Sequence, residues 1–205
     1  MPLKFRSGTN ILVYGVSNSG KSTFVLKVLK ERLITKMPKK ILYFYKVKQD
    51  IFEEYNKVAN TRIQFIEGLP DNVYDLKDSI VVFDDLLLHN NATKLVSELF
   101  VYHSHHLQIT AIFLSQNLYP KDEHFRLMVL NSHYMVLHGD IRSMRQIKTL
   151  ANQIFTDEDK TRLLNAYRQS IKAEYGFVVL CFVKNIPREL TILTNYWDSN
   201  PSVYL

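Results

Sequence analysis

The sequence predicts an α/β fold in which a doubly wound, mainly parallel sheet is flanked by helices. Short apolar runs alternate with longer segments of helical periodicity along the chain, and this alternation is typical of parallel strands joined by right-handed crossovers. The apolar runs are solid rather than alternating, which indicates strands covered by helices on both faces. A glycine-containing turn separates the first strand from the first helix, at the kind of position where α/β sheets bind ligands.

The elements follow from hydrophobic periodicity. The run Ile11-Leu12-Val13-Tyr14 is uninterrupted and apolar, and after the turn Phe24, Val28 and Leu29 recur at helical spacing. By the same reasoning we predict strands at 11–14, 41–45, 63–66, 79–83, 109–114, 133–137, 177–183 and 190–193. We predict helices over 22–34, 50–58, 92–103, 143–155 and 157–173. The last two strands either pair as a hairpin or extend the sheet edge.

Length and composition are those of one globular domain. The 205 residues are 46% hydrophobic and 22% charged, which excludes a disordered chain, collagen and a coiled coil. No apolar run reaches about eighteen residues, so we expect no membrane-spanning segment. The single cysteine, Cys181, excludes an internal disulfide and favours a reducing compartment. The net charge of +6 permits a polyanionic partner such as DNA without requiring one.

The most specific motif is the glycine loop after the first strand. Residues 15–22 read Gly-Val-Ser-Asn-Ser-Gly-Lys-Ser and match G-x-x-x-x-G-K-[ST] at every fixed position. Glycines allow a tight turn whose N–H groups face phosphate oxygens, and the following helix N-terminus favours the same charge. The alternative is a glycine turn with an exposed lysine. We predict that a nucleotide is bound by Gly15, Asn18, Ser19, Gly20, Lys21, Ser22 and Thr23.

Two adjacent carboxylates, Asp84 and Asp85, follow the apolar strand at 79–83. That strand would bring them to the carboxyl edge of the sheet. We expect Asp84 to hold Mg²⁺ together with the Ser22 hydroxyl, and Asp85 to orient or deprotonate an attacking water. Aspartate is shorter than the glutamate that many ATPases carry there, so this role requires a compensating backbone position. The alternative is an acidic cluster at a helix N-terminus.

The next strand ends in Ser115-Gln116-Asn117. An amide at a strand tip beside metal-binding carboxylates can contact the γ-phosphate or the attacking water and report the nucleotide state to a neighbouring element. We therefore predict Gln116 as a polar sensor. The alternative is a Gln-Asn pair that only forms a turn.

These motifs, in this order, resemble the FtsK/HerA superfamily of P-loop motors. The resemblance lies in the glycine loop, in Val-Val-Phe-Asp-Asp at 81–85 and in S-H-H-x-x-I-T-x-I-F-L-S-Q-N-L-Y at 104–119. More narrowly, the chain is similar to the DNA-packaging ATPases of poxvirus-type large DNA viruses and of Polinton- or adintovirus-like elements. The blocks 124–126, 130–134, 140–142 and 146–147 continue the likeness, which covers residues 10–155.

The resemblance implies a RecA-like P-loop NTPase domain over residues 1–205, with a motif-bearing core at 10–155 and a C-terminal helix and strands at 156–205. It implies ATP hydrolysis with Mg²⁺ in a ring of identical subunits that threads double-stranded DNA into a preformed capsid. Capsid or portal-like vertex proteins would be further partners, and the location would be the virion or the assembly site in the infected cell. Lys21, Asp85 and Gln116 would be catalytic.

Rings of such motors usually complete each site with an arginine from the next subunit, because the charge that develops on the transferred phosphoryl group needs a cation. Arg126 and Arg142 are the candidates in the matching blocks, with Arg145 third. The alternative for each is a solvated surface arginine.

A lysine cluster surrounds the second strand: Lys36, Lys39, Lys40, Lys46 and Lys48. These lysines either line a DNA-facing pore, where phosphate contacts are independent of sequence, or form a solvated basic edge that discourages strand pairing.

Two other functions fit the glycine loop. A small-molecule P-loop kinase of nucleotide type has similar length, but it needs a second substrate pocket and an arginine-bearing lid, and the Ser-Gln-Asn strand end is foreign to it. A non-catalytic assembly protein switched by ATP would bind nucleotide without turnover.

Overall fold

A computed structural model describes residues 4–58, 63–86, 92–119, 121–194 and 202–203. The described residues form a sheet of nine strands in the order β3-β2-β4-β5-β1-β6-β7-β8-β9. The strands are β1 Asn10–Tyr14, β2 Lys40–Tyr45, β3 Ile63–Glu67, β4 Ser79–Asp84, β5 Thr110–Ser115, β6 Tyr134–His138, β7 Phe177–Cys181, β8 Ile192–Thr194 and β9 Ser202–Val203. Strands β1 to β6 pair in parallel. The predicted fold class, a doubly wound and mainly parallel α/β sheet, is confirmed.

Helices cover both faces of this sheet. They are α1 Lys21–Lys30, α2 Ile51–Val58, α3 Ala92–Glu98, α4 Ser104–His106, α5 Glu123–Leu130, α6 Met144–Ile154 and α7 Asp157–Ser170. A π-helical turn, Leu99–His103, joins α3 to α4. Short 3-10 turns lie at Val73–Leu76, Ile141–Ser143 and Arg188–Thr191. Among the described residues, no helix combines the length and the apolar character needed to cross a lipid bilayer.

The central strand shows why the apolar runs are solid. Leu12 and Tyr14 belong to the hydrophobic cluster on one face of the sheet, whereas Ile11 and Val13 belong to the cluster on the other face. All four side chains are at most 1% exposed. Because successive side chains point to opposite faces, a strand buried on both faces needs apolar residues at every position.

Helix α1 ends four residues earlier than the sequence predicted. It stops at Lys30, and Arg32 has a left-handed φ of 55°. Leu33 and Ile34, which continued the helical spacing, are buried instead by pairing with the N-terminal segment, because Phe5 bonds through its backbone to Leu33 and Thr35. Leu33 and Ile34 are therefore buried by a contact with a distant segment and not by a longer helix.

Helix α5 was not predicted. Its N-cap, Asp122, accepts hydrogen bonds from the backbone N–H groups of His124 and Phe125 at 2.8 and 3.3 Å. The signal was present, because an aspartate before Phe125 and Met128 at helical spacing is a helix start. Phe125 and Met128 are buried in the core.

The late strands extend the sheet edge and also pair with each other. Strand β7 is antiparallel to β6, and β8 is antiparallel to β7. The predicted C-terminal helix 157–173 ends at Ser170, whose hydroxyl bonds to the Tyr167 carbonyl. Residues 195–201 and 204–205 of the predicted C-terminal segment lie outside the described residues.

The lysine cluster is divided by β2. Lys36 and Lys39 precede the strand, whereas Lys46 and Lys48 follow it, at the end of the sheet that carries the glycine loop. Strand β2 lies between β3 and β4, so the interpretation of these lysines as protection of a strand edge is wrong. Lys48 forms an exposed ion pair with Glu53 at 2.8 Å.

Candidate active site

The glycine loop connects β1 to α1 at the carboxyl edge of the sheet. Its start is fixed by a hydrogen bond from the Gly15 N–H to the Ser115 carbonyl at 3.1 Å. A Cβ atom at Gly15 would lie 2.2 Å from Ser19 Oγ and 2.8 Å from His138 Cβ, so no larger residue fits there. Gly20 has a φ of 90°, a left-handed conformation that favours glycine. The loop therefore requires glycine at both positions of the motif.

Lys21 opens helix α1 and is almost fully buried, at 8% exposure. Its ammonium group donates a hydrogen bond to the Val16 carbonyl at 2.9 Å. Burial lowers the pKa of Lys21, and the nearby carboxylates of Asp84 and Asp85 oppose that shift. The lysine is thus held across the loop, facing the acidic end of β4.

Asp84 receives three hydrogen bonds on one oxygen. Ser22 Oγ, Tyr43 Oη and Gln49 Nε2 donate to Asp84 Oδ2 at 2.8, 2.7 and 3.2 Å. Burial raises the pKa of Asp84, and the hydrogen bonds from Tyr43 and Ser22 oppose that shift. Asp84 forms no ion pair with the described residues, so its buried charge has hydroxyl and amide donors but no adjacent cation within 4 Å.

A chain of hydrogen bonds links the glycine loop to the strand tips. Ser17 Oγ donates to Gln116 Oε1 at 2.9 Å, and Gln116 Nε2 donates to Asp85 Oδ1 at 2.6 Å. Asp85 has a left-handed φ of 58°, which is unusual for a residue other than glycine and costs about 1–3 kcal/mol. This backbone turn, directly after β4, aims the short aspartate side chain at Gln116.

These residues line one open cleft of about 560 Å³ at the carboxyl edge. Its lining among the described residues is Ser17, Asn18, Ser19, Gly20, Lys21, Ser22, Thr23, Gln49, Asp84, Asp85, Gln116 and Tyr175. Lys21 is the only lysine or arginine in this lining. Backbone N–H groups, one ammonium group and a helix N-terminus can bind a phosphate chain. The Ser22 hydroxyl and the Asp84 carboxylate are hard oxygen ligands that fit Mg²⁺.

Strand order explains why these segments meet. Strand β5 lies between β4 and β1, so Gln116 directly follows the strand that separates the aspartates from the glycine loop. In parallel strands the carboxyl ends share one edge, and the crevice outside that edge is where α/β proteins bind ligands.

Comparison with solved structures finds similarity to two viral proteins. The DNA-packaging ATPase B204 of Sulfolobus turreted icosahedral virus is 12% identical, with a TM-score of 0.54 over 86% of this chain and 93% of that one. This chain has the fold of B204. The genome packaging NTPase B204 of Sulfolobus turreted icosahedral virus 2, in complex with ATP-gammaS, is 13% identical, with a TM-score of 0.49 over 85% and 93% of the two chains. No protein-family model and no curated protein matches the chain.

In this B204 fold the predicted arginines lie away from the cleft lining. Arg126 is exposed on α5, and Arg145 is exposed on α6. Arg142 is exposed on the turn after β6 and forms an ion pair with Asp140 at 2.9 Å, which lowers the pKa of that aspartate. Of the predicted site residues, Gly15 begins the glycine loop without lining the cleft, and Arg126 and Arg142 lie apart from it; the others line the cleft.

Three lining or supporting residues were missed by the sequence interpretation. Tyr43 lies within the strand predicted at 41–45 and had no predicted role, and Gln49 and Tyr175 belong to no motif. Tyr43 and Gln49 contact Asp84 because β2 lies next to β4 in the sheet. Hydrophobic periodicity carries no information on which strands become neighbours, so these contacts could not be predicted from the sequence.

His138 packs against the glycine loop at Gly15. Its burial predicts that the stability of the protein depends on pH. Burial lowers its pKa from 6.5 to about 4, with a further contribution from the charge of Lys21. Below about pH 6.5 the imidazole of His138 is protonated in the unfolded chain but stays neutral in the folded chain. Its contribution to the free energy of unfolding is therefore fully present above the pKa of the unfolded state and is lost as the pH falls toward the pKa of the folded state. Between about pH 7 and about pH 5 we expect this histidine to remove about 2 kcal/mol of unfolding free energy.

Urea unfolding at both pH values measures this effect, with His138→Leu as the comparison. The variant keeps every acidic residue, so the difference between the two proteins isolates the imidazole. We expect the variant to lose less stability on acidification than the parent chain. Equal losses in both proteins would contradict the prediction.

Proposed function

We propose that this chain is an ATP-hydrolysing motor that translocates double-stranded DNA and packages a viral genome into a capsid. The observation that carries the proposal is the contact between the glycine loop and β4, in which Ser22 Oγ donates to Asp84 Oδ2 at 2.8 Å. A phosphate-binding loop and a buried carboxylate in contact are the two halves of a nucleotide–magnesium site. The fold shared with the packaging ATPase B204 supports the packaging role.

The glycine loop and Lys21 would bind the nucleotide. In our proposal the backbone N–H groups between Gly15 and Ser22 bind the phosphates of ATP, with Asn18, Ser19 and Thr23 lining the same cleft. The Lys21 ammonium group, which donates to the Val16 carbonyl at 2.9 Å, turns to the β- and γ-phosphates when they are present. Its burial makes this charge more effective than it would be in water.

Metal binding falls to Ser22 and Asp84. Mg²⁺, when bound, neutralises charge that develops on the phosphate oxygens. Asp84 supplies a buried carboxylate for it, and Tyr43 and Gln49 fix the orientation of that carboxylate by donating to Oδ2. Such supporting hydrogen bonds hold a ligand in place and tune its affinity.

Water activation falls to Asp85. Its side chain is exposed to the cleft, where it can accept a proton from the water that attacks the γ-phosphate. Gln116 holds Asp85 through the bond at 2.6 Å and is itself held by Ser17. Because Ser17 lies in the phosphate loop, this chain of bonds gives Gln116 the connection that a sensor of the nucleotide state needs.

The assembly we propose is a ring of copies of this chain, each a single P-loop ATPase domain. Arg126 or Arg142 of one subunit would enter the cleft of the next and stabilise the transferred phosphoryl group. Arg142 would have to exchange its ion pair with Asp140 for this contact. The narrower assignment is to the poxvirus-type and Polinton- or adintovirus-like packaging ATPases of the FtsK/HerA superfamily. It rests on the strand that ends in Ser115-Gln116-Asn117 and on the matching blocks downstream of it.

The proposed partners are double-stranded DNA and capsid or portal-like vertex proteins, at the virion or the assembly site in the infected cell. Contacts with DNA phosphates would be independent of sequence and sensitive to salt. Lys46 and Lys48, at the end of the sheet that carries the glycine loop, remain candidates for such contacts.

Steady-state phosphate release with and without double-stranded DNA tests the function. We expect ATP hydrolysis that increases when duplex DNA is added and that loses this increase at high salt. Phosphate transfer to an added nucleoside or nucleotide, instead of phosphate release, would identify a kinase. ATP binding without turnover, with or without DNA, would identify a nucleotide-switched assembly protein.

Gln116 gives a prediction for the catalytic step. Gln116→Ala removes the donor to Asp85 and the acceptor for Ser17, so we expect kcat to fall about tenfold to a hundredfold while KM for ATP changes little. Gln108→Ala is the matched control, because Gln108 is exposed at the opposite end of β5. An unchanged kcat in Gln116→Ala would exclude the sensor role.

A further inference from the structure

A small aromatic pocket opens beside the cleft. It measures about 120 Å³, and its described lining is Gly20, Thr23, Phe24, Lys27, His138, Tyr175 and Phe177. Gly20, Thr23 and Tyr175 line the cleft as well. The aromatic pocket therefore adjoins the phosphate loop, and a molecule bound along the loop can reach into it.

The position of the aromatic pocket relative to the cleft indicates which way a bound nucleotide would run. Asp84, Asp85 and Gln116 line the cleft but are absent from the lining of the aromatic pocket. In the proposed function the terminal phosphate of ATP lies at that acidic end. The other end of the nucleotide, the ribose and base, must then leave the loop on the side of the residues that both spaces share.

Tyr175 is placed to contact a flat ring at this end. Its side chain packs over Gly20, where a Cβ atom would lie 3.0 Å from Tyr175 Cδ1, yet the residue is 62% exposed. It has a left-handed φ of 53° in the connection between α7 and β7. Strained conformations of this kind persist where the surrounding structure fixes them, and they are frequent at ligand sites.

Three aromatic rings form one side of the aromatic pocket, and Lys27 is the charged residue of its described lining. Phe24 and Phe177 are in edge contact with ring centroids 4.8 Å apart, and His138 lies 5.7 and 5.6 Å from them. His138 is 1% exposed, and its pKa of about 4 makes it neutral at neutral pH. Neither of its ring nitrogens has a hydrogen-bond partner of good geometry among the described residues. These three rings can contact an uncharged aromatic ring at its face or edge.

We propose that the aromatic pocket receives the nucleoside end of the nucleotide and that Tyr175 is the surface on which the base stacks. The inference rests on the proposed function, because the phosphate loop sets the direction of the nucleotide. Every base has a π-face, so stacking gives affinity that depends little on base identity. Tyr175 acts on binding and not on phosphoryl transfer, because it lies away from the acidic end.

Binding of ATP and of inorganic tripolyphosphate, measured by calorimetry, separates this role from the phosphate site. We expect Tyr175→Ala to weaken ATP binding about tenfold and to leave tripolyphosphate binding unchanged. Tyr175→Phe keeps the ring and should bind both as the parent chain does. Tyr102→Ala is the control for loss of an exposed tyrosine, since Tyr102 is 64% exposed in the π-helical turn. In hydrolysis assays Tyr175→Ala should raise KM and preserve kcat.

Two outcomes would overturn the inference alone. Either Tyr175→Ala binds ATP as tightly as the parent chain, or it loses ATP and tripolyphosphate equally, which would indicate damage to the loop. Failure of the proposed function looks different: the parent chain binds neither compound, or Lys21→Ala leaves tripolyphosphate binding intact. Circular dichroism of each variant confirms that a loss of binding does not come from unfolding.

Discussion

Lys21→Ala is expected to lower ATP hydrolysis by at least about a hundredfold while the protein remains folded. Lys21 is the only lysine or arginine in the described lining of the cleft, so no other residue of that lining can replace its charge. The ammonium group is 8% exposed and sits between the loop and the carboxylates of β4. At such a site one charge contributes far more to the transition state than it would in water.

Phosphate release with saturating DNA measures the effect, and thermal unfolding checks the fold. Lys30→Ala is the matched control, because Lys30 is exposed at the other end of the same helix. We expect the melting temperature of Lys21→Ala to stay close to that of the parent chain, because removing a buried charge also removes its desolvation cost. Hydrolysis at the parental rate would show that the glycine loop is not the catalytic site.

Asp84→Asn is expected to lower activity and to preserve or raise stability. The substitution keeps the shape of the side chain and an oxygen that can accept from Ser22, Tyr43 and Gln49. It removes the buried negative charge that would hold Mg²⁺, so we expect hydrolysis to fall about a hundredfold or more at millimolar Mg²⁺. Burial raises the pKa of Asp84, which means that the charged form is costly, and a neutral amide avoids that cost.

Asp85→Asn is the comparison that separates the two effects. Asp85 is exposed, so its neutralisation should lower hydrolysis without any gain in unfolding free energy. Phosphate release over a range of Mg²⁺ concentrations, combined with urea unfolding, measures both quantities. The assignment of Asp84 fails if Asp84→Asn keeps the parental dependence of hydrolysis on Mg²⁺.

The local part of the site could be predicted because it depends on short-range chemistry. Gly15 and Gly20 are required by a contact of 2.2 Å and by a φ of 90°, and both constraints act within a few residues of the loop. Asp84 and Gln116 were placed at strand ends because solid apolar runs predict buried parallel strands, whose carboxyl ends share one edge. Asp85 has a left-handed φ, and its side chain accepts a hydrogen bond from Gln116.

The predictions that were wrong concerned features that depend on contacts between distant segments of the chain. Helix α1 was predicted to reach residue 34, and it stops at Lys30 because Leu33 and Ile34 are buried against Phe5. Hydrophobic spacing reports that a residue is buried, but it does not report which distant segment buries it. The edge role predicted for the lysines around β2 failed for the same reason, because β3 pairs with that strand.

The sequence by itself determined the fold class, the glycine loop and the polar residues at the ends of β4 and β5, because each depends on local periodicity or on a motif with fixed spacing. The tertiary structure decided which other side chains join them. Tyr43 and Gln49 reach Asp84 because β2 lies beside β4, and Tyr175 reaches Gly20 from a connection about 150 residues away in the chain. Strand order arises from packing of the whole chain, and no local pattern in the sequence encodes it.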